Sequence, residues 1–434
     1  NGVSVGAVTS YTISNIRGDS SISASFAINT YTVTSSAGAN GSISPNGATT
    51  KNHGTSQAYT ITANTGYHVD DVLVNGVSVG AVTSYTISNI RGDSSISASF
   101  AVNACVGYTW TGAEDNNFAN PDNWLCGIVP PGSAAVNINN GSGNVIIDAD
   151  LDVTGSLDFN NTTDTLIIAP GVTLKATGGD IDFHGNAVLI KSDATGTGSI
   201  GEITGTLSNA TNVTAERYIR ENDFRGWRLL AVPFQSSGSQ TLKQSWQEGA
   251  NSYAEDPNPG FGTRITSNVA GAVGLGYDGE TFSSSLLTYD GSLASPWVRH
   301  QAGTGVSVSR GTAGDAWMLY VRGDRSVDTA GVITAPTQTI LRAKGALYTT
   351  YPTVNIPASK NGLIGNILPS EIDFLDVIAA NPGLQGAGGD SSFYVWDPKL
   401  YGSYGLGGYQ VFSAYTSTPW EPLPGGGSYG STPN

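Results

Sequence analysis

The stretch that decides the fold is VIIDADLDVTGSLDFNNTTDTLIIAPGVTLKATGGDIDFHGNAVLI, residues 145–190. Apolar triplets recur in it at a nearly constant interval, and a second pair of similar triplets keeps step with them: Val145-Ile146-Ile147, Leu166-Ile167-Ile168 and Val188-Leu189-Ile190, with Leu157-Asp158-Phe159 and Ile181-Asp182-Phe183. A period of about 21 residues, with glycine and asparagine at the corners, is typical of the stacked rungs of a β-solenoid. The sequence therefore predicts a short β-solenoid over residues 136–216.

Residues 104–135, just before the predicted solenoid, contain both cysteines of the chain. Cys105 and Cys126 have neither CxxC spacing nor a histidine partner nearby, which argues against a metal site. They bracket Trp110 and Trp124, and a single disulfide in an exported protein explains them better. We therefore predict a Cys105–Cys126 disulfide that staples this loop-rich segment.

Residues 1–103 contain a verbatim repeat. NGVSVGAVTSYTISNIRGDSSISASFA occupies residues 1–27 and returns unchanged at 75–101. Around the second copy, apolar and polar residues alternate in short runs, which are separated by the turn pairs Asn40-Gly41, Asn46-Gly47 and Asn75-Gly76. This pattern is typical of hairpins with one buried face. The sequence predicts a complete β module at residues 28–103 and a partial one at residues 1–27.

The partial copy corresponds to the second half of a module, because residue 1 aligns with Asn75. We therefore expect the chain to be a piece of a longer protein. Strands are expected at Tyr11–Ser14 and Ile22–Phe26, and they need a partner. Either upstream sequence or a neighbouring subunit would supply the missing half, and the short connections usual within a domain favour upstream sequence.

Residues 217–434 are rich in tryptophan and tyrosine and lack a period. Apolar runs predict strands at Trp227–Val232, Ala316–Val321, Thr337–Ala343, Phe393–Trp396 and Gly408–Phe412. Short helices are predicted at Ser239–Glu248 and at Ser370–Ala380. In the second, Ser370 would be the N-cap, and Glu371 and Asp373 would lie in the first turn. The fold class is therefore all-β: small β repeat modules, a short β-solenoid stack and a C-terminal β-sandwich-like module with a few short helices.

Charge and hydropathy exclude two classes of partner. The net charge is −15 and the isoelectric point is near 4.5, whereas nucleic-acid binding needs a Lys/Arg-rich surface. No apolar run approaches the roughly 20 residues that cross a bilayer. We therefore expect no nucleic-acid partner and no membrane span in this stretch.

Residues 38–101 carry a resemblance to a known family. GANGSISPNGATTKNHGTSQAYTITANTGYHVDDVLVNGVSVGAVTSYTISNIRGDSSISASFA closely resembles the divergent B-repeat of internalin-like bacterial surface proteins. The matching elements are Asn40–Pro45, Gly66-Tyr67, Asp71–Gly76 and Ile96–Phe100. The resemblance implies a small β module that is used in tandem as a stalk or adhesive spacer.

Residues 105–434 carry a second resemblance, which depends on the order of several short sequences: WTGAEDNNFANPDNW, VTAERYI, GWRLLAVPF, LYVRGDRS, LIGNILPSEIDF, FYVWDP and GGYQVFS. Together they resemble large type IX-secreted cell-surface proteins of Bacteroidota. That family usually continues past PGGGSYG into a further strand and a sorting domain, so we expect the C-terminus to be truncated too. The resemblance also implies O-glycosylation at short Asp-Thr-Leu and Asp-Thr-Ala signals, which makes Thr165 and Thr329 candidate sites.

Three aspartates form a candidate calcium site. Asp148, Asp150 and Asp152 alternate with apolar residues, so on one strand their carboxylates would share a face, and Asp164, Asp180 and Asp182 would stack nearby. Clustered oxygen atoms bind Ca²⁺. The alternative is a solvated acidic face that resists edge pairing, and the pattern favours it. No other cofactor is predicted, since the histidines are scattered along the chain: His53, His68, His184 and His300.

Three motifs resemble functional signatures, and each has a simpler structural explanation. GVSVG at 2–6 and 76–80 fits a hydrolase nucleophile elbow, with Ser4 or Ser78 as nucleophile, but strand-like sequence comes next where a helix is required. GTGSIG at 196–201 fits the dinucleotide-binding pattern, but no helix comes after it. Arg-Gly-Asp would mediate integrin-type adhesion, yet Gly-Asp is also a common turn; its copies are at 17–19, 91–93 and 322–324.

These features predict an exported bacterial surface protein that has no catalytic activity and acts as a filament subunit, stalk or adhesin. The predicted location is extracellular, and the predicted partners are other copies of the chain, other surface proteins or glycans. The alternative is a carbohydrate-binding or polysaccharide-processing exoprotein, since short solenoids and tryptophan-rich sandwiches occur in such proteins. No pair of carboxylates stands out for acid–base catalysis, which argues against this alternative.

The disulfide is directly testable. Closing a loop of about 20 residues stabilises a folded chain by about 3 kcal/mol, because the cross-link restricts the unfolded chain. Reduction should therefore lower the free energy of unfolding by about that amount. Mass spectrometry of unreduced protein should find the peptides of Cys105 and Cys126 linked, and two free thiols would contradict the prediction.

Overall fold

The protein is described by a computed structural model that covers residues 2–103, 107–138, 143–160, 164–220, 225–281, 283–309, 316–327, 337–348, 362–372, 374–381, 392–397, 408–413 and 421–422. The chain divides into two units, Asn1–Ala104 and Cys105–Asn434. Strands dominate both units, as the all-β prediction expects. None of the helices in these described ranges has the length and apolar character that crossing a membrane requires.

The first unit contains one complete module of eight strands: β1 (Thr30–Ala37), β2 (Gly41–Ser44), β3 (Gly47–Asn52), β4 (Gln57–Ala63), β5 (Tyr67–Val74), β6 (Val77–Ser78), β7 (Ser84–Ile87) and β8 (Ser94–Val102). One sheet has the order β3-β1-β8-β5-β6 and the other has the order β2-β4-β7. Strand β8 lies parallel to β1 and antiparallel to β5. Inward-pointing residues of the strands form the core together with Ile90 of the β7–β8 connection. The core comprises Val33, Ile43, Tyr59, Ile61, Val69, Val72, Ile87, Ile90, Ile96 and Ala98.

The turn chemistry of the module matches the hairpins that the sequence predicts. Asn75 and Gly76 join β5 to β6 with φ angles of 51° and 80°. Both angles lie in the left-handed region that Asn and Gly tolerate best, and a two-residue hairpin turn requires them there. Gly41 begins β2 where a side chain would overlap the ring of Phe100. The Asn75-Gly76 pair therefore sets the direction of a turn, and the glycine of the Asn40-Gly41 pair allows the backbone to approach the Phe100 ring.

The duplicated segment at residues 2–27 does not form strands. Strands were expected at Tyr11–Ser14 and Ile22–Phe26 with a partner, and the strands that pair with these residues in the complete module are not beside them here. Ile96 of β8 is 1% exposed, whereas the equivalent Ile22 is 62% exposed. The same sequence is therefore buried in one place and exposed in the other, and the difference depends on which strands lie beside it.

The second unit begins with a parallel β-solenoid of about 4 turns. Its strands are β9 (Tyr108–Thr109), β10 (Ala135–Ile138), β11 (Val145–Ile147), β12 (Leu151–Asp152), β13 (Ser156–Phe159), β14 (Leu166–Ile168), β15 (Thr173–Ala176), β16 (Asp180–Asp182), β17 (Val188–Ile190), β18 (Ser192–Asp193), β19 (Gly196–Thr197), β20 (Ser199–Ile203), β21 (Leu207–Ser208) and β22 (Val213–Ile219). Three parallel sheets form its sides: β9-β10-β13-β16-β21, β11-β14-β17-β22 and β12-β15-β20. The predicted solenoid is confirmed.

The three apolar triplets are strands β11, β14 and β17, and they pair in register. Val145 lies beside Leu166, which lies beside Val188, so each triplet covers the one before it. The next step, from Val188 to Val213, is longer than the two before it, because the β18–β19 hairpin is inserted within that turn. The short period therefore describes the first two steps of this sheet and not the last.

Residues 107–135 close the start of the solenoid. Trp110 and Phe118 each make an edge-to-face contact with Trp124, with ring centroids 5.1 and 4.9 Å apart. The backbone of the same segment covers the free edge of β11, since the N–H of Phe118 donates to the Ile146 carbonyl at 2.7 Å. The Ile146 N–H in turn donates to the carbonyl of Asn116. The segment thus satisfies an edge that would otherwise be open.

The last part of the chain adds β23 (Gly226–Leu230), β24 (Leu286–Tyr289), β25 (Trp297–Arg299), β26 (Trp317–Val321), β27 (Thr339–Gly345), α1 (Phe374–Ala380), β28 (Ser392–Asp397), β29 (Gly408–Ser413) and β30 (Glu421–Pro422), with two 3₁₀ turns in the unit at Pro121–Asn123 and Ala272–Leu275. The sheets are β23-β26-β24-β25 and β28-β29-β30. All five predicted strands coincide with observed ones. Strand β27 pairs antiparallel with β22, so the predicted border after residue 216 falls inside β22.

The two predicted helices have different outcomes. Helix α1 begins at Phe374, so Ser370 and Glu371 precede it, and Asp373 lies outside the described residues. Residues 239–248 form irregular turns, and the helix predicted there is wrong. Thr241 and Gln244 do exchange capping hydrogen bonds. Burial of Leu242 and Trp246 in the core nevertheless outweighs the local preference for a helix.

The duplicated isoleucine offers a matched pair of substitutions. Ile96→Ala should lower the free energy of unfolding of the first unit by about 2–5 kcal/mol, since it leaves a cavity in the core. Ile22→Ala, in an identical local sequence, should change it by less than about 0.5 kcal/mol. Hydrogen exchange of the β8 amides measures both effects. Equal effects of the two substitutions would show that residues 1–27 are packed as residues 75–101 are.

Candidate functional site

A column of polar side chains runs along one side of the solenoid. In-register pairing in the sheet β9-β10-β13-β16-β21 places these five residues one above another: Thr109, Asn137, Asp158, Asp182 and Ser208. The neighbours of Asp158 along its strand, Leu157 and Phe159, are buried. Because side chains alternate along a strand, the column faces away from the core. Two of its members, on consecutive rungs, are carboxylates.

His184 completes a group around these two carboxylates. It lies just after β16 in the left-handed conformation, with φ 49°, and its Nε2 lies 3.9 Å from Asp158 Oδ1 and 3.7 Å from Asp182 Oδ2. The three ligand atoms all lie within 4.8 Å of one another. In the described part of the chain, no other three acidic, histidine or cysteine side chains converge in this way. The sequence shows His184 only as one of four scattered histidines, whereas the structure places it beside two carboxylates.

Hydrogen bonds hold Asp182 in its ionised form. Burial opposes ionisation, but the Asn209 amide donates to both carboxylate oxygens at 2.9 and 3.1 Å, and the backbone N–H of His184 donates at 2.7 Å. The nearby His184 ring and the Ser208 hydroxyl act in the same direction. Together these contacts lower the pKa of Asp182 below its usual value.

This arrangement has two chemical capacities. Two carboxylates and one imidazole are a mixed oxygen and nitrogen donor set, which suits a divalent transition-metal ion better than calcium. A protonated His184 would instead pair with both carboxylates. The sequence pattern placed Asp182 among the acidic residues but missed Asp158 and His184. The recurrence of Leu-Asp-Phe at 157–159 as Ile-Asp-Phe at 181–183 was the signal for the stacked aspartates.

The predicted calcium ligands Asp148, Asp150 and Asp152 do not converge in the structure. They were expected on one strand face, but β11 ends at Ile147 and the chain turns a corner before β12. Each carboxylate instead accepts a hydrogen bond from a different backbone N–H: Asp148 from Ala119 at 3.0 Å, Asp150 from Thr173 at 2.8 Å and Asp152 from Thr177 at 3.0 Å. Asp180 does the same for Thr206. These side chains tie neighbouring turns of the chain together.

The predicted disulfide and the predicted O-glycosylation sites each involve residues that the structure describes only in part. Cys126 is disulfide-bonded, and Cys105, the other cysteine of the sequence, lies outside the described residues, so the pairing stays a prediction. Thr165 is half-buried just before β14, and its N–H donates to Asn144 Oδ1 at 2.9 Å. Thr329 lies outside the described residues.

The short motifs have structural partners. Ser78 ends β6, and its hydroxyl donates to Asp71 at 2.6 Å. In the Arg-Gly-Asp of residues 91–93, Asp93 accepts the N–H of Thr32 in β1. In that of residues 322–324, Arg322 lies over the Tyr320 ring, and burial lowers its pKa. The hydroxyl of Ser326 donates to Asp324. These contacts match the turn interpretation of the motifs.

A cluster of aromatic side chains lies where β24, β25, β28 and β29 meet. Trp297 donates its indole N–H to the hydroxyl of Tyr409 at 2.9 Å, and Tyr409 packs edge-to-face on Trp396. Tyr289 packs on Trp297 in the same way. Tyr394 and Tyr409 are exposed. Partly exposed aromatic rings of this kind can contact the apolar faces of sugars as well as protein.

Comparison with known proteins adds no identity to this geometry. No protein-family model, curated protein or solved structure matches the chain.

Removal of the Asn209 amide tests the electrostatics of this site. Asn209→Ala should raise the pKa of Asp182 toward its ordinary value of 3.8 and cost about 1.5–3 kcal/mol of stability at pH 7, as expected for a hydrogen bond to a charged group. A lowered folded-state pKa stabilises the protein above the unfolded-state pKa and loses its effect as the pH falls through the folded-state value. The difference in melting temperature from the wild type should therefore shrink between pH 7 and pH 2. In an Asp182→Asn background, Asn209→Ala should have no pH-dependent effect.

Proposed function

We propose that this chain is a non-catalytic, extracellular bacterial surface protein that serves as a filament subunit, stalk or adhesin. The observation that carries the proposal is the verbatim recurrence of residues 1–27 at 75–101, where the second copy belongs to a complete β module. Duplication of a module lengthens a chain without creating any new arrangement of chemical groups. Catalysis needs one arrangement of unlike groups, whereas reach and adhesion increase with the number of modules.

The solenoid supports the same role. It also grows by adding similar turns, and its carboxylates at Asp148, Asp150 and Asp152 bind backbone N–H groups. The disulfide of Cys126 supports an oxidising location outside the cytoplasm. The charge of −15 suits a well-hydrated surface that stays soluble. Other copies of the chain, other surface proteins and glycans are the partners that this role predicts.

A carbohydrate-binding exoprotein is the second candidate. Two observations favour it: the aromatic cluster around Trp297 and Tyr409, and the outward-facing carboxylates of Asp158 and Asp182. Aromatic rings bind the apolar faces of sugars, and paired carboxylates bind or hydrolyse them. A glycan array with the wild type and a Tyr394→Ala, Tyr409→Ala variant tests this candidate. Binding that the double substitution abolishes would support it.

Immunogold electron microscopy tests the first proposal. An antibody against the folded second unit should label the outer surface of producing cells, or filaments that extend from it. Cells that lack the gene provide the control for antibody specificity. Label confined to the cytoplasm would contradict the proposal.

A further inference from the structure

Asp158 differs from other aspartates of the solenoid in how its carboxylate is used. Four of the others each accept a hydrogen bond from a backbone N–H: Asp148, Asp150, Asp152 and Asp180. Asp158 accepts no hydrogen bond from any residue that the structure describes, and its one ionic neighbour among those residues is His184. Its carboxylate therefore holds no other part of the chain that a bound ion would have to displace.

The two stacked carboxylates lack a permanent positive charge beside them. In-register pairing of β13 with β16 places Asp158 next to Asp182, and like charges on directly opposite residues of a sheet repel. Of the basic side chains in the described ranges, His184 alone lies within 4.0 Å of either carboxylate. A neutral imidazole leaves both negative charges uncompensated and offers a ring nitrogen as a metal ligand. A divalent cation at this position would compensate both charges.

The distances between the ligand atoms suit a single small ion. Zinc lies about 2.0–2.2 Å from nitrogen and oxygen ligands, so two ligands of one ion are at most about 4.2 Å apart. His184 Nε2 lies 3.9 Å from Asp158 Oδ1 and 3.7 Å from Asp182 Oδ2, and both distances are within that limit. The Asp158 side chain is 40% exposed, so its carboxylate is free to rotate toward Asp182.

Asp182 and His184 are held in position by their neighbours. The Asn209 amide and the His184 backbone N–H both donate to Asp182, which fixes the orientation of its carboxylate. His184 and Gly185 have consecutive φ angles of 49° and 75°, and these angles turn the chain just after β16. Hydrogen bonds to a ligating carboxylate orient it and strengthen metal binding. Asn209 is therefore a positioning residue for this group.

The chemistry of the donors selects the kind of ion. Calcium takes six to eight oxygen ligands, whereas zinc and its neighbours in the first transition row bind imidazole nitrogen together with carboxylate oxygen. Three protein ligands leave one position of a tetrahedron open. The three side chains are 25–40% exposed, so water or a group of another molecule can reach that position.

We propose that Asp158, Asp182 and His184 bind one divalent first-row transition-metal ion, with zinc as the reference, on the outer surface of the solenoid. The ligand atoms are Asp158 Oδ1, Asp182 Oδ2 and His184 Nε2. The fourth ligand comes from solvent. The site depends only on these contacts, so it does not require the chain to act as a filament subunit, stalk or adhesin.

Calorimetric titration with zinc chloride tests the site in the full 434-residue chain, purified without a histidine tag. We expect saturable binding of one zinc ion per chain and a rise in the melting temperature when zinc is present. Cobalt in place of zinc should give the visible absorption of a tetrahedral ion. Calcium should bind much more weakly, because the imidazole nitrogen is a poor ligand for it. A titration without saturable zinc binding would overturn the proposal.

Matched variants locate the bound ion. His184→Ala and Asp158→Asn should each weaken zinc binding at least about 100-fold, since a lost ligand costs more than a lost outer-shell partner, which costs about 10–100-fold. Asn209→Ala keeps all three ligands and should weaken binding about 10-fold. His68→Ala removes an exposed histidine of the first unit and should bind zinc as the wild type does.

The melting temperatures of the variants without zinc separate loss of the site from loss of the fold. Asp158→Asn should melt as the wild type does, because the Asp158 carboxylate accepts no hydrogen bond from the described residues. This variant therefore tests the site even if another variant unfolds. Zinc binding that Asp158→Asn leaves unchanged, or that His68→Ala weakens equally, would show that the ion binds elsewhere and would overturn the proposal.

Discussion

The structure of the second unit depends on in-register parallel pairing between successive turns of the solenoid. Each turn lies directly on the previous one, so equivalent residues form columns along the stack. Val145, Leu166 and Val188 form an apolar column that faces the core. The same pairing places Asp182 over Asp158 on the outer surface. At one corner the backbones come so close that a Cβ on Gly179 would lie 2.5 Å from the Gly155 carbonyl oxygen. The pairing therefore determines which residues fill the core, which side chains line up on the surface and where glycine is required at a corner.

A stack of parallel strands has two open ends, and the chain uses its flanking segments to close them. The backbone of Asn116–Phe118 covers β11 at one end, and β27 covers β22 at the other. Strand β22 thus belongs to the last turn of the solenoid and also pairs with the C-terminal region. Exposed strand edges promote unintended pairing. In the described part of this sheet, the outer edges of β11 and β22 are both occupied, so neither is an open template for another chain.

The long connections of the last region are organised around a buried ion pair. Arg325 is fully buried, and its guanidinium contacts Asp278 at 2.6 and 3.1 Å. Its other N–H groups donate to backbone carbonyls, including that of Thr263. Gln247 and the Ile265 N–H also donate to Asp278. Loss of either charge would leave its partner buried and unpaired, at a cost of about 3–5 kcal/mol. A cluster of this kind tolerates irregular backbone, because it satisfies the carbonyls that strands and helices would otherwise use.

Local patterns in the sequence determined the all-β class, the solenoid, the Asn-Gly hairpins and the five strands of the last region. Apolar periodicity and turn residues act over a few neighbours, so they can be recognised without coordinates. Tertiary structure alone decided that Ile96 is buried while Ile22 is exposed, that residues 239–248 are not a helix, and that His184 meets Asp158 and Asp182. Each of these outcomes depends on which distant strand or side chain lies alongside. The local sequence does not specify that neighbour, even where two segments are identical.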